Sequence, residues 1–119
     1  MKLLIVGSRS IEDFDIGAFV TDETELILTG GAKGIDQLVE SYADNHSISK
    51  LVLRPNYKKY GKAAPLLRNR KLVDLCDKAV IIWDKKSRGT KYTLDYATEV
   101  GKDVTLVIIS KARTEPNDT

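Results

Sequence analysis

Apolar residues fall along this chain in short blocks separated by turn residues. Residues 2–6 (KLLIV) form a near-continuous apolar run stopped by Gly7-Ser8-Arg9, the pattern of a buried strand. A short helical stretch is expected over residues 12–20. Residues 25–29 (ELILT) read as a second strand, ending at Gly30-Gly31. Ile35, Leu38, Val39, Tyr42 and Ala43 then recur at i, i+3, i+4, i+7 and i+8, a helical stripe. Residues 50–54 (KLVLR) predict a third strand, and 55–63 a polar connection. A helix is expected over 65–76, with Leu72, Val73, Leu75 and Cys76 on one side. Residues 79–83 (AVIIW) give a fourth strand. A helix over 90–100 aligns Leu94, Ala97 and Val100 and is closed by Gly101. Residues 104–109 are the last strand, and 111–119 a polar tail.

This alternation of apolar strands with helices argues an α/β fold with a parallel sheet covered on both faces. Right-handed crossovers lead to a doubly wound, Rossmann-like sheet of order 3-2-1-4-5 over residues 1–110. Ligands of such sheets sit beyond the C-terminal strand ends, where the order reverses. Here that point lies between strands one and four.

Three loops should meet there. They are Gly7-Ser8-Arg9 after strand one, residues 29–36 (TGGAKGID) after strand two, and residues 87–90 (SRGT) after strand four. Neighbouring strands lie ~4.8 Å apart, so the loops should share a space of ~10 Å. Exposed amides at glycine-bearing helix starts favour anions, and Ser87 and Thr90 add hydroxyls. The same glycines also suit plain tight turns. Asp36 near a helix start is open to two readings, dipole stabilisation or ligand contact. The fingerprint G-x-G-x-x-G is missing after strand one, as is the P-loop pattern, so neither an ordinary dehydrogenase nor an ATPase follows.

The third helix adds Arg68 and Asn69. At 100° per residue they share the face of Leu72 and Cys76, one turn nearer the strand end, while Arg70 falls on the flank. An Arg in line with a core stripe needs a partner. Arg68, like Arg9, is therefore either ligand-facing or half of a structural ion pair.

Length and composition narrow the class. With 119 residues there is room for one domain. Hydrophobic residues make up 42% and charged residues 30%, which excludes a mostly disordered chain. One cysteine (Cys76) and one histidine (His46) exclude an internal disulfide and the usual zinc ligand sets. No segment approaches the ~20 apolar residues of a membrane span. The first apolar run is too short for a signal-peptide core, so a cytoplasmic protein is expected.

Charge is uneven. Of 19 Lys/Arg, eight lie between Asp44 and Asp74 with no acidic residue among them, leaving 11 against 17 Asp/Glu elsewhere. Such a segment is either an anion-facing side or a solvated loop. Tyr57 and Tyr60 lie within it and could stack on a base or pack the loop. Single-stranded nucleic-acid binding is thus a further possibility, one that a pI near 8.6 does not favour.

VGSR, TGGAKGID, RNR and S-x-G-T together resemble the superfamily joining the Smf/DprA DNA-processing proteins with the LOG ("lonely guy") nucleotide hydrolases. YGKAAPLLRNR and WDKKSRGT look most like its short stand-alone YspA/YpsA-like members. The resemblance spans residues 2–104. It implies a Rossmann-like domain, often a homodimer, that binds a nucleotide or nucleotide-derived ligand of the NAD, ADP-ribose or nucleoside-phosphate type. Gly7, Ser8, Arg9, Gly30, Gly31, Gly34, Asp36, Arg68, Asn69, Arg70, Ser87, Gly89 and Thr90 are the candidate ligand-binding residues. No cofactor is called for. The LOG motif P-G-G-x-G-T-x-x-E would place its catalytic Glu where this chain has Thr93, and Arg70 matches the LOG arginine by spacing. Hydrolysis would then have to use Asp36 or Asp95.

Overall fold

A computed structural model describes residues 1–110, and the polar tail expected over 111–119 lies outside the described residues. Five strands form one sheet: β1 (Lys2–Gly7), β2 (Leu26–Thr29), β3 (Lys50–Val52), β4 (Lys78–Trp83) and β5 (Asp103–Ile108). All pairings are parallel and the order is β3-β2-β1-β4-β5. The chain therefore reverses direction across the sheet between β1 and β4. The helices are α1 (Ile35–Asn45), α2 (Tyr57–Tyr60), α3 (Ala64–Leu75) and α4 (Arg88–Glu99).

Each face of the sheet has its own core. Leu3, Ile5, Ile27, Val80 and Ile82 point one way and pack under Ile35, Val39 and Ala43 of α1. Leu4, Val6, Leu28 and Ile81 point the other way, under Leu72 and Val73 of α3 and Ala97 of α4. This is the period-2 alternation of strands meeting the 3.6 period of helices. Burying such side chains is worth roughly 1.5–3 kcal/mol each. Among the described residues, no helix is long and apolar enough to cross a membrane.

The structure departs from the hydrophobic pattern in four places. The helix expected over 12–20 is only a 3-10 turn, Ile16–Phe19. Its anchors, Ile11 and Ile16, are five residues apart and so do not share a helical face, and the segment instead closes on a Phe14–Phe19 stack at 5.8 Å. The polar connection contains α2, capped by the Asn56 side chain accepting from the Lys59 amide at 3.1 Å. Leu75 is 43% exposed, because it sits roughly 90° from the centre of the buried face of α3. Val100 lies past the end of α4 and is also exposed.

Candidate functional site

The C-terminal ends of β2, β1 and β4 open on a cleft of about 100 Å³. Eight of the candidate residues line it. Gly7 and Arg9 come from the β1 loop, Asp36 from α1, and Arg68 and Asn69 from α3. Ser87, Gly89 and Thr90 come from the start of α4. Val6, Ala32, Pro65, Leu66 and Thr93 complete the wall.

The β1 loop is held by Ser8. Its amide donates to the Ile82 carbonyl at 2.9 Å, and its Oγ accepts from the Asp84 amide at 3.0 Å. Ser8 Oγ also lies 3.3 Å from Thr90 Oγ1. Fully buried, Ser8 ties β1 to β4 and α4 rather than lining the cleft. Gly34 precedes α1 with φ of 76°, and a Cβ there would stand 2.6 Å from the Ser8 and Arg9 carbonyl oxygens. Only glycine lets these two backbones meet in that conformation.

The β4 loop is wound around Asp84. Its Oδ1 accepts from the Lys86 and Ser87 amides, both at 2.8 Å, and its Oδ2 from Ser10 Oγ at 2.7 Å. Partial burial disfavours its charge, but these hydrogen bonds, led by Ser10, outweigh that and bring its pKa down to about 2. Ser87 then caps α4, its Oγ accepting from the Thr90 amide at 3.3 Å and from Thr90 Oγ1 at 3.0 Å. Among the described residues the Arg88 and Gly89 amides have no protein acceptor. They are the open donors of the helix start, at its positive end.

Gly30 does not line the cleft; it spaces two charged groups. A Cβ on it would stand 2.8 Å from Arg68 Nη1 on one side and 2.8 Å from Asp36 Oδ2 on the other. Arg68 Nη1 donates to the Gly30 carbonyl and, at 3.2 Å, to the Leu53 carbonyl. Its Nε donates to Asn69 Oδ1 at 2.6 Å, while Nη2 makes no protein hydrogen bond among the described residues. Asn69 Nδ2 donates in turn to Thr93 Oγ1 at 2.7 Å, and Thr93 Oγ1 to the Gly89 carbonyl at 3.0 Å. A continuous polar chain thus joins the β2 loop, α3 and the start of α4. Burial depresses the Arg68 pKa, with the Asp36 charge acting against it.

Asp36 is 3% exposed. Its Oδ2 accepts from the Ala32 amide at 3.1 Å, and its buried Oδ1 has no hydrogen-bond partner among the described residues. The Gly7 amide and the Thr29 hydroxyl lie near enough to favour the charge. Thr29 Oγ1, however, donates to the Ile5 carbonyl at 2.9 Å. Burial dominates and pushes the Asp36 pKa above the usual carboxyl value, against the Ala32 amide and the Arg68 charge.

The remaining candidates lie apart from the cleft. Gly31 turns with φ of 72°, and its carbonyl accepts from Arg54 Nη1 at 3.1 Å. Arg70 is exposed, its guanidinium 4.8 Å from the centre of the Tyr96 ring. Asp95 is also outside, paired with Lys91 Nζ at 2.8 Å. Asp84 and the Asn69–Thr93 bridge were not read from the sequence. A signal for Asp84 is there: an Asp directly after a strand, two and three residues before a lysine and a serine, suits an Asx-type turn. Comparisons with protein-family models, with curated proteins and with solved structures find no match to this chain.

Proposed function

We propose that this protein is a cytoplasmic binding module for a nucleotide-derived anion, held at the C-terminal ends of β2, β1 and β4. The observation that carries the reading is the start of α4. Its Arg88 and Gly89 amides are open among the described residues, and Gly89 lines one cleft with Arg9 and Arg68. Oriented amides, a helix dipole and two cations favour a phosphate over neutral ligands. Asp36 lines the same cleft and adds a carboxyl group to it. The resemblance of VGSR, TGGAKGID, RNR and S-x-G-T to the Smf/DprA–LOG superfamily supports the same ligand class.

Arg9 gives the cleanest test. It lines the cleft, is exposed, and makes no protein hydrogen bond among the described residues. Calorimetric titration with AMP, GMP and NAD should give saturable binding of at least one of them. Arg9→Ala should weaken it roughly tenfold, the loss of one charge-assisted bond, with an unchanged melting point. Binding that ignores Arg9→Ala, or no binding at all, overturns the reading.

Asp36 favours a second reading, a small hydrolase. It is the one carboxyl group lining the cleft among the described residues, and burial raises its pKa toward the protonated form. A chromatographic assay for free base from nucleoside monophosphates and NAD separates the two. Chemistry of the LOG type is not supported, because Thr93 stands at the Glu position and Arg70 lies outside the cleft.

A further inference from the structure

The cleft is too small for the ligand it is proposed to hold. Small-molecule sites typically enclose ~300–1,000 Å³, and the cleft offers about 100 Å³. A phosphate or a sugar fills that, and a whole nucleotide does not.

A second cavity of about 540 Å³ lies beside it, between the end of β3, α2 and α3. Arg54, Lys59, Arg70 and Lys71 line it, together with Asn56 and Tyr60. Asp74 is its one carboxylate among the described residues, and Asp74 Oδ1 already accepts from Tyr96 at 2.7 Å. The two cavities share one residue, Arg68. Its Nε and Nη1 donate to three protein acceptors, and its Nη2 makes no protein hydrogen bond among the described residues.

From this arrangement, and resting on the nucleotide-binding reading, we infer that the ligand is two-armed. It is a dinucleotide-class diphosphate ester that places one end in the cleft, crosses Arg68, and lays its larger part in the basic basin. The charges decide between ligand lengths. A nucleoside monophosphate anchored at the start of α4 would leave Lys59 and Lys71 in the basin with no carboxylate partner among the described residues, whereas Arg54 is already paired with Glu40 at 3.6 Å. A diphosphate crossing Arg68 puts negative charge between the two cavities and lets the basin cations share it. Tyr60, 43% exposed beside Lys59, offers a ring face for a base or for the underside of a sugar. The basin is also short. Its lining comes from the loop after β3, α2 and α3, so it suits one further nucleoside unit rather than a long strand.

The test pairs two probes with two variants. ADP-ribose and AMP are titrated by calorimetry against wild type, Arg9→Ala and Lys59→Ala/Lys71→Ala. Neither lysine side chain makes a hydrogen bond or ion pair to a protein group among the described residues, and the Lys59 amide that donates to Asn56 is kept in Lys59→Ala, so the double variant should melt with wild type. The expected pattern is that wild type binds ADP-ribose at least ~10-fold more tightly than AMP. The double lysine variant should lose at least ~10-fold for ADP-ribose and less than ~3-fold for AMP, while Arg9→Ala weakens both. Equal affinity for the two probes, or a double variant that binds ADP-ribose as wild type does, overturns the two-armed ligand and leaves the cleft reading standing. Failure of wild type to bind either probe overturns both. Tighter binding of a twelve-residue oligothymidylate than of ADP-ribose, with a steep salt dependence, overturns the dinucleotide class in favour of a nucleic-acid strand.

Discussion

The cleft and the basin lie on either side of Arg68 and are built on opposite principles. The cleft is narrow, and most of its polar side chains are committed: Ser87 to Thr90, Asn69 to Arg68 and Thr93, and Thr93 to the Gly89 carbonyl. The basin is wide, and its lysines are exposed and uncommitted. Committed groups hold geometry, so the amides left open at the start of α4, those of Arg88 and Gly89, are fixed in place and selective. Uncommitted lysines supply charge without fixed direction, which aids capture more than discrimination. Stability should therefore depend on the cleft, and ligand reach on the basin.

The sharpest way to break this contrast is Gly34→Ala. The new Cβ would meet the Ser8 and Arg9 carbonyls at 2.6 Å, at a φ of 76°. Strain of this kind costs about 1–3 kcal/mol, and displaced backbone adds to it. The melting point should fall by roughly 5–15 °C. A melting point within a degree of wild type would show that the β1 and β2 loops are not held as tightly as described.

Arg68→Ala comes next. It removes the donor to the Gly30 and Leu53 carbonyls and the partner of Asn69. Leaving such acceptors unpaired costs about 1–3 kcal/mol. Arg68 stands at the meeting point of the two cavities, so thermal melts should show lower stability and binding assays lower affinity in the same variant. Loss of affinity with unchanged stability would make Arg68 a ligand group alone.

Two carboxyl groups should respond to acid in opposite directions. The Asp84 pKa falls from 3.8 to about 2 on folding. Its contribution is therefore present above 3.8 and lost as pH falls toward 2. Asp84→Asn should cost about 1 kcal/mol at neutral pH once solvent screening is allowed for, and the gap to wild type should close below pH 3. Asp36 is raised on folding, so its buried charge opposes folding at neutral pH, and acidification toward 3.8 relieves it. Asp36→Asn keeps an acceptor for the Ala32 amide. It should raise stability at pH 7 by on the order of 1 kcal/mol, and that gain should shrink as pH falls. Denaturant melts from pH 2 to 8 check both. A wild-type Asp36 whose removal destabilises at pH 7 would mean that its charge is satisfied in the free protein.

The smallest effect belongs to the basin. Lys59→Ala/Lys71→Ala should change stability by less than ~0.5 kcal/mol, as exposed positions do. A larger loss would place the basin in the fold's own support and blur the contrast.

The sheet order and the meeting of the three loops were legible in the sequence, because a parallel sheet forces apolar runs and glycine turns to alternate. Arg68 and Asn69 could be placed from helical spacing alone. What the spacing could not say is what they touch. Arg68 bonds two carbonyls and a neighbouring amide rather than a buried carboxylate, an arrangement that depends on where β2 and β3 end. Ser8, Gly30, Gly31 and Gly34 looked like ligand groups because glycine turns serve anions and backbone packing equally well. In the structure they hold loops together beside the cleft. Arg70, two residues from Arg68, turned away from the cleft as its helical position on the flank required. The basin was legible only as eight basic residues without an acidic neighbour, since charge counts carry no shape.

The central claim is that the start of α4 receives the ligand's anionic end. Titration of 15N-labelled protein with ADP-ribose, followed by amide correlation spectra, reads it residue by residue. The account predicts saturable shifts of the Arg88 and Gly89 amides, with the same midpoint as the Arg9 and Lys71 signals. Arg88 and Gly89 signals that stay in place while those of Lys59 and Lys71 move would contradict it.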